Sequence, residues 1–199
     1  MALIGDNFIF IHVYKCGGMS IRKAFAGHNT VETGKSHCTI SQLAKELDES
    51  GRAELISSRY KFAFVRNPFD WMVSLYEFCK KHEGHELHEK TKHGFSEFLL
   101  KYVTEDLDHT VTPNGLITTL TGFLYSNGKC MVDFVGRLEN FNHDFIKVLQ
   151  ATGITIDEIP YENKRDNKAE GYRKYYGHED KMLVEKYFYN DLECFQYQF

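Results

Sequence analysis

Apolar and polar residues come in blocks along this chain, and each block has the length and period of one structural element. Residues 7–14 (NFIFIHVY) are β-branched and aromatic with little alternation, which predicts a parallel strand buried on both faces. Gly17 and Gly18 follow and open a predicted helix from Ser20 to about Ala26. Thr39 and Gln42 have the spacing of a capping box, and Leu43 and Leu47 share a face. An amphipathic helix over 40–49 follows from that pattern. Residues 60–66 (YKFAFVR) read as a second apolar strand. Asn67-Pro68-Phe69-Asp70 then supplies an N-cap, a proline at the first helical position and an acid in the first turn. Phe69, Val73 and Tyr76 lie on one face of that helix. Residues 131–136 (MVDFVG) are a third strand, a helix near 140–151 stops at Gly153, and 172–195 is helical and rich in tyrosine. Strand–helix alternation of this kind predicts an α/β fold, with a central parallel sheet and helices on both faces. Such sheets bind ligands at the carboxyl ends of their strands. The Lys15–Ser20 turn and Arg66 both stand at that kind of position.

Length and charge narrow the picture without supplying a chemistry. The 199 residues carry no internal repeat or linker-like tract, and a single domain over 1–199 is the expectation. Lys and Arg total 24 against 28 Asp and Glu, a formal net charge of −4. That balance argues against a charge-driven nucleic-acid binder but leaves room for one local anion site. The 5 cysteines are odd in number, widely spaced and without a C-x-x-C pair. A disulfide framework or structural zinc is therefore not expected, and the thiols point to a reducing compartment. The apolar run Phe8–Ile11 is far too short to span a bilayer. A cytoplasmic protein without a membrane span is the expectation.

The chemistry lies in two short stretches. In the first, a strand leads through Lys15-Cys16-Gly17-Gly18-Met19-Ser20 into a helix. Two glycines permit a tight turn and close backbone approach to a ligand, and a helix N-terminus offers N–H groups and partial positive charge. Lys15 adds a full charge and Ser20 a hydroxyl. In a Walker A loop the lysine follows the last glycine, beside Ser or Thr. Here it precedes the glycines, which disfavours an ATP- or GTP-magnesium site. In the second stretch Arg66 ends a strand and Ser74 lies two helical turns beyond Asn67. A guanidinium and a hydroxyl on that side can meet a second phosphate. Equally, Arg66 can serve as a structural salt-bridge partner.

Together these stretches resemble the sulfotransferases that use 3′-phosphoadenosine 5′-phosphosulfate (PAPS). FIFIHVYKCGGMSI is similar to their 5′-phosphosulfate loop, and FAFVRNPFDWMVSLYEF to their 3′-phosphate motif. VDFVGRLENF and YRKYYGHEDKMLVEKYFYNDLECFQY also match, in family order, so that the resemblance spans nearly the whole chain. The likeness is to the branch that includes heparan sulfate 2-O-sulfotransferases and Golgi carbohydrate sulfotransferases. It implies a P-loop-like three-layer fold, PAPS as co-substrate and no metal. It implies that Lys15 and the backbone of Gly17, Gly18, Met19 and Ser20 hold the 5′-phosphosulfate, and that Arg66 and Ser74 hold the 3′-phosphate. Lys164 or Arg165 is a looser match to residues that close over the nucleotide. The chain departs from the family pattern at Tyr14, where proline is usual, and at Cys16 and Met19, where threonine is frequent.

Sulfuryl transfer to a hydroxyl needs a base. His37 resembles the catalytic histidine of the 2-O-sulfotransferases and is the leading candidate, beside a reading as a surface or capping histidine. His12, inside an apolar strand, and Glu32 are the alternatives. His82, His85 and His88 are spaced by three among Lys and Glu, as in a solvated helix end. The C-terminal tyrosines read as core packing. The expected reaction moves a sulfuryl group to a carbohydrate or small-metabolite hydroxyl. A nucleotide kinase-like phosphotransferase and a non-catalytic nucleotide-binding protein are the competing readings.

Overall fold

The structure is a computed structural model, and it describes residues 2–33, 37–106, 119–160 and 171–199. In chain order the elements are β1 (Ala2–Gly5), β2 (Phe8–Ile11), α1 (Gly18–Ala24), β3 (Thr30–Thr33), α2 (Ile40–Glu49), α3 (Glu54–Ser58), β4 (Tyr60–Val65) and α4 (Pro68–Lys81). There follow α5 (Phe95–Lys101), α6 (Leu120–Leu124), β5 (Tyr125–Ser126), β6 (Lys129–Cys130), β7 (Phe134–Arg137), α7 (Phe141–Thr152), α8 (His178–Tyr187) and α9 (Tyr189–Phe195). The described residues fall into two compact units. Residues 2–33, 37–65 and 120–160 form the first, and 66–106, 119 and 171–199 the second. Among the described residues no helix is long and apolar enough to cross a membrane.

The first unit is built on a five-stranded sheet in the order β3-β1-β2-β4-β7. β2 pairs in parallel with β4, and β4 with β7. β1 runs antiparallel to both its neighbours, so four of the five strands share one direction. The α/β class expected from the sequence is the one observed. Phe8 to Ile11 and Phe62 to Val65 are each at most 1% exposed. Both faces of the central strands are therefore buried, which is why their sequence shows no polar alternation. Phe25, the C-cap of α1, packs on Phe8 at 4.5 Å between ring centroids and on Phe145 of α7 at 5.7 Å. Phe64 packs on Phe141 at 5.1 Å. Truncating one such ring to alanine costs about 3–5 kcal/mol.

Several elements differ from expectation, each for a local reason. β1 pairs with β2 in a hairpin closed by Asp6 and Asn7, and four residues were too few to stand out in the sequence. β2 ends at Ile11 rather than at 14, because Val13 N–H turns back to the Ile11 carbonyl at 3.1 Å. β7 starts at Phe134 rather than at 131. Met131 N–H is taken by the Leu124 carbonyl, and the Asp133 carboxylate accepts from Lys61 N–H and Lys61 Nζ, both at 2.7 Å. α1 starts at Gly18, two residues before the predicted Ser20. α2 matches its prediction, with the Thr39–Gln42 capping box formed at 2.8 and 3.2 Å.

The second unit is helical and centres on α4. Asn67 caps it by accepting from Phe69 N–H at 3.1 Å, and Pro68 occupies the first turn. Trp71 meets Phe188 at 6.1 Å, while Tyr76 packs on Phe95 and Phe98. The predicted C-terminal helix is divided. Gly177 opens α8, its N–H donating to the Asp180 carboxylate at 2.9 Å, and Phe188 separates α8 from α9.

Candidate functional site

The loop after β2 takes its shape from two residues in the left-handed region. Lys15 has φ 59° and Gly17 φ 84°, and together they reverse the chain into α1. Among the described residues no side chain makes a capping hydrogen bond to α1. The two glycines are demanded by packing as well. A Cβ on Gly17 would come within 2.9 Å of Leu138, and one on Gly18 within 1.9 Å of His12 Nε2. Ser20 is buried, whereas Met19 is 55% exposed. Cys16 is buried.

His37 sits directly against this loop. Its Nδ1 lies 3.1 Å from the His12 carbonyl oxygen. A carbonyl only accepts, so Nδ1 carries the proton and Nε2 keeps the lone pair. The His37 ring meets the His12 ring edge-on at 4.6 Å and the Tyr14 ring edge-on at 5.7 Å. His37 itself has φ 59°. Burial lowers the pKa of both imidazoles, and for His12 it reaches about 3, with the neighbouring His37 adding to the effect. Burial outweighs the His12 carbonyl bond, which by itself would raise His37. His12 is thus a neutral ring at physiological pH, against both Gly18 and His37. Glu32, the third base candidate, is ion-paired with Arg22. Lys164 and Arg165 lie outside the described residues.

In the second unit Arg66 directly precedes the N-cap of α4. Asp70 Oδ2 holds its Nε at 2.6 Å and its Nη2 at 2.5 Å. The salt bridge is real, yet it leaves the rest of the fork's donor capacity to other partners. Ser74 is 5% exposed, and its hydroxyl has no hydrogen-bond partner among the described residues. A buried hydroxyl without a partner is costly, and an anion oxygen is the kind of group that satisfies it. The Asn67 side chain is fixed from both ends, since its Nδ2 donates to the Gln198 carbonyl at 2.8 Å. Phe199 then packs on Phe69 at 4.9 Å, and Lys181 lies 4.1 Å over its ring.

The remaining candidate residues are held by hydrogen bonds within the second unit. His82 Nδ1 donates to the Phe78 carbonyl and His88 Nδ1 to the Cys79 carbonyl, so these rings cap the last turn of α4. His85 Nδ1 accepts from Leu87 N–H. Tyr175 donates to Glu77 and Tyr176 to the Phe69 carbonyl. Two features escaped sequence reasoning. One is the contact of Tyr14 with His37, which no spacing announces. The other is the partner of Arg66: a salt bridge was one of its two readings, but Asp70, at i+4, was not singled out for it.

Comparison with known proteins bears on this arrangement. Residues 5–198 match the model of the sulfotransferase family. The fold is similar to that of mouse sulfotransferase SULT7A1, solved as a complex with PAP, with a TM-score of 0.61. The two share 11% sequence identity, over 96% of this chain and 88% of that one. No curated protein matches in sequence.

Proposed function

The chain belongs to the sulfotransferase family, and we propose that it moves a sulfuryl group from PAPS to the hydroxyl of a carbohydrate or small metabolite, leaving 3′,5′-adenosine bisphosphate. The observation that carries the reading is the loop at Lys15, where two residues with left-handed φ, a lysine and a glycine, lead the chain into the start of α1. In this reading Lys15 and the backbone N–H groups of Gly17, Gly18, Met19 and Ser20 hold the 5′-phosphosulfate. Lys15 stabilises the charge that develops on the leaving phosphate oxygen. Exposed Met19 contributes only its backbone. Arg66 and the buried Ser74 hydroxyl hold the 3′-phosphate and so separate PAPS from ADP-like nucleotides.

His37 acts as the general base through Nε2. Its pKa is lowered, so it is neutral and able to accept a proton at physiological pH. The acceptor O–H proton passes to Nε2 as the acceptor oxygen forms its bond to sulfur, and the bond from sulfur to the phosphate oxygen breaks.

Calorimetry tests the donor assignment. The bisphosphate binds far more tightly than ADP, and Arg66→Ala removes that preference. Equal affinity of the unmodified protein for both nucleotides overturns the assignment. Transfer of labelled sulfate from PAPS across a panel of sugars and small alcohols then sorts the acceptor class.

A further inference from the structure

His37 is held by a short stretch of chain that also carries Lys15. The His12 carbonyl accepts from its Nδ1, the His12 ring meets it at 4.6 Å, and the Tyr14 ring meets it at 5.7 Å with the planes at 79°. His12 and Tyr14 are 9% and 3% exposed, so neither ring has room to swing away. Each is braced from behind. His12 stacks on Phe10 at 5.7 Å and lies against the backbone of Gly18. Tyr14 packs edge-on against Phe123 at 5.6 Å. The two rings therefore form a fixed corner, and the carbonyl between them and the strand selects one tautomer of the imidazole placed in it.

From this we propose that His12 and Tyr14 are positioning residues for the base, fixing the His37 ring with Nδ1–H on the His12 carbonyl and Nε2 as the basic atom. The inference rests on the reading of His37 as the base. It also gives Tyr14, which stands where the family pattern has proline, a specific task. A proline cannot offer an aromatic edge to the imidazole, so in this chain the residue before Lys15 couples the donor loop to the base. A base that must sit within hydrogen-bond reach of a hydroxyl loses roughly tenfold to hundredfold in rate when its ring is free to turn away.

The test combines a spectrum with kinetics. In the full-length protein labelled with ¹⁵N-histidine, His37 is expected to show a protonated Nδ1 and an unprotonated Nε2. Tyr14→Ala mixes the two tautomers and lowers turnover at saturating PAPS at least tenfold. Tyr14→Phe keeps the edge contact and restores both the spectrum and the turnover. A proton on Nε2 of His37 in the unmodified protein overturns the proposal, and that spectrum decides even where Tyr14→Ala fails to fold. An unchanged spectrum and turnover in a folded Tyr14→Ala overturns it as well. Full turnover in His37→Ala instead overturns the base reading beneath it, and that result does not depend on the spectrum.

Discussion

Acidification should unfold this protein in part through His12. Burial holds the His12 pKa at about 3, against an ordinary 6.5, because an imidazolium there would lose its water among the Phe10 and His37 rings and the backbone of Gly18. The folded state therefore keeps His12 neutral in a range where the unfolded chain protonates it. Its contribution to stability is complete above 6.5 and is lost as the pH falls toward 3. In that window each pH unit removes about 1.4 kcal/mol. Going from about pH 7 to about pH 4.5 thus costs about 2.5 kcal/mol through this one residue. That is a large share of a typical folding free energy of about 5–15 kcal/mol. Guanidinium unfolding of the unmodified protein and of His12→Asn, at both pH values and fixed ionic strength, isolates the effect. The variant starts less stable at neutral pH, having lost the contacts with Phe10 and His37. On acidification it should lose about 2–3 kcal/mol less than the parent. The other carboxylates and histidines titrate in both proteins and cancel in the comparison. Equal acid losses would refute the account, since they would mean that His12 is hydrated or charged in the folded state.

Two further outcomes follow from the same loop. Gly18→Ala places a methyl 1.9 Å from His12 Nε2, so it should destabilise by about 1–3 kcal/mol. His12→Ala should relieve that clash, making the double variant's loss smaller than the sum of the single ones, and strict additivity in thermal melts would count against the contact. The acid limb of kcat/KM for PAPS, which reports the free protein, should lie below 6.5, because burial together with the charges of Lys15 and Arg22 lowers His37. A limb at or above 6.5 in a pH–rate profile would remove His37 as the titrating base.

Much of this geometry was legible in the chain itself, and what escaped shares one physical character. Thr39 with Gln42, Asn67 with Pro68, and Gly153 at the end of α7 mark helix ends by chemistry confined to a few neighbours. Such signals survive in sequence because both partners are local. The apolar runs at 8–11 and 62–65 were equally plain, since a strand buried on two faces has no polar positions. By contrast β1 is four residues long and gains its place only by pairing with β2 and β3. The His12–Tyr14–His37 corner joins residues up to 25 apart through ring edges and one carbonyl, and no periodicity encodes such a contact. Arg66 shows a third case. Its sequence supported both a salt bridge and a phosphate site, and the structure contains the salt bridge to Asp70 while leaving the Ser74 hydroxyl, on the same helix, buried without a partner among the described residues.

The departure at Tyr14 shows where the order of the donor loop comes from. A proline before the lysine fixes φ by its own ring and restricts the preceding residue, so it stiffens the turn locally. Tyr14 has no such constraint, and Lys15 beside it adopts a left-handed φ of 59° that most residues avoid. That conformation costs of order 1 kcal/mol and must be over-determined by its surroundings. The surroundings are the Phe123 ring on one side of Tyr14 and the His37 ring on another. Stiffness that the covalent structure would otherwise supply is here a product of packing. It therefore depends on α6 and on the segment leading into α2. The same contacts that order Lys15 order His37, so the anion-holding lysine and the base gain or lose their geometry together. A chain with proline at this position could loosen its base without disturbing its loop; this one cannot.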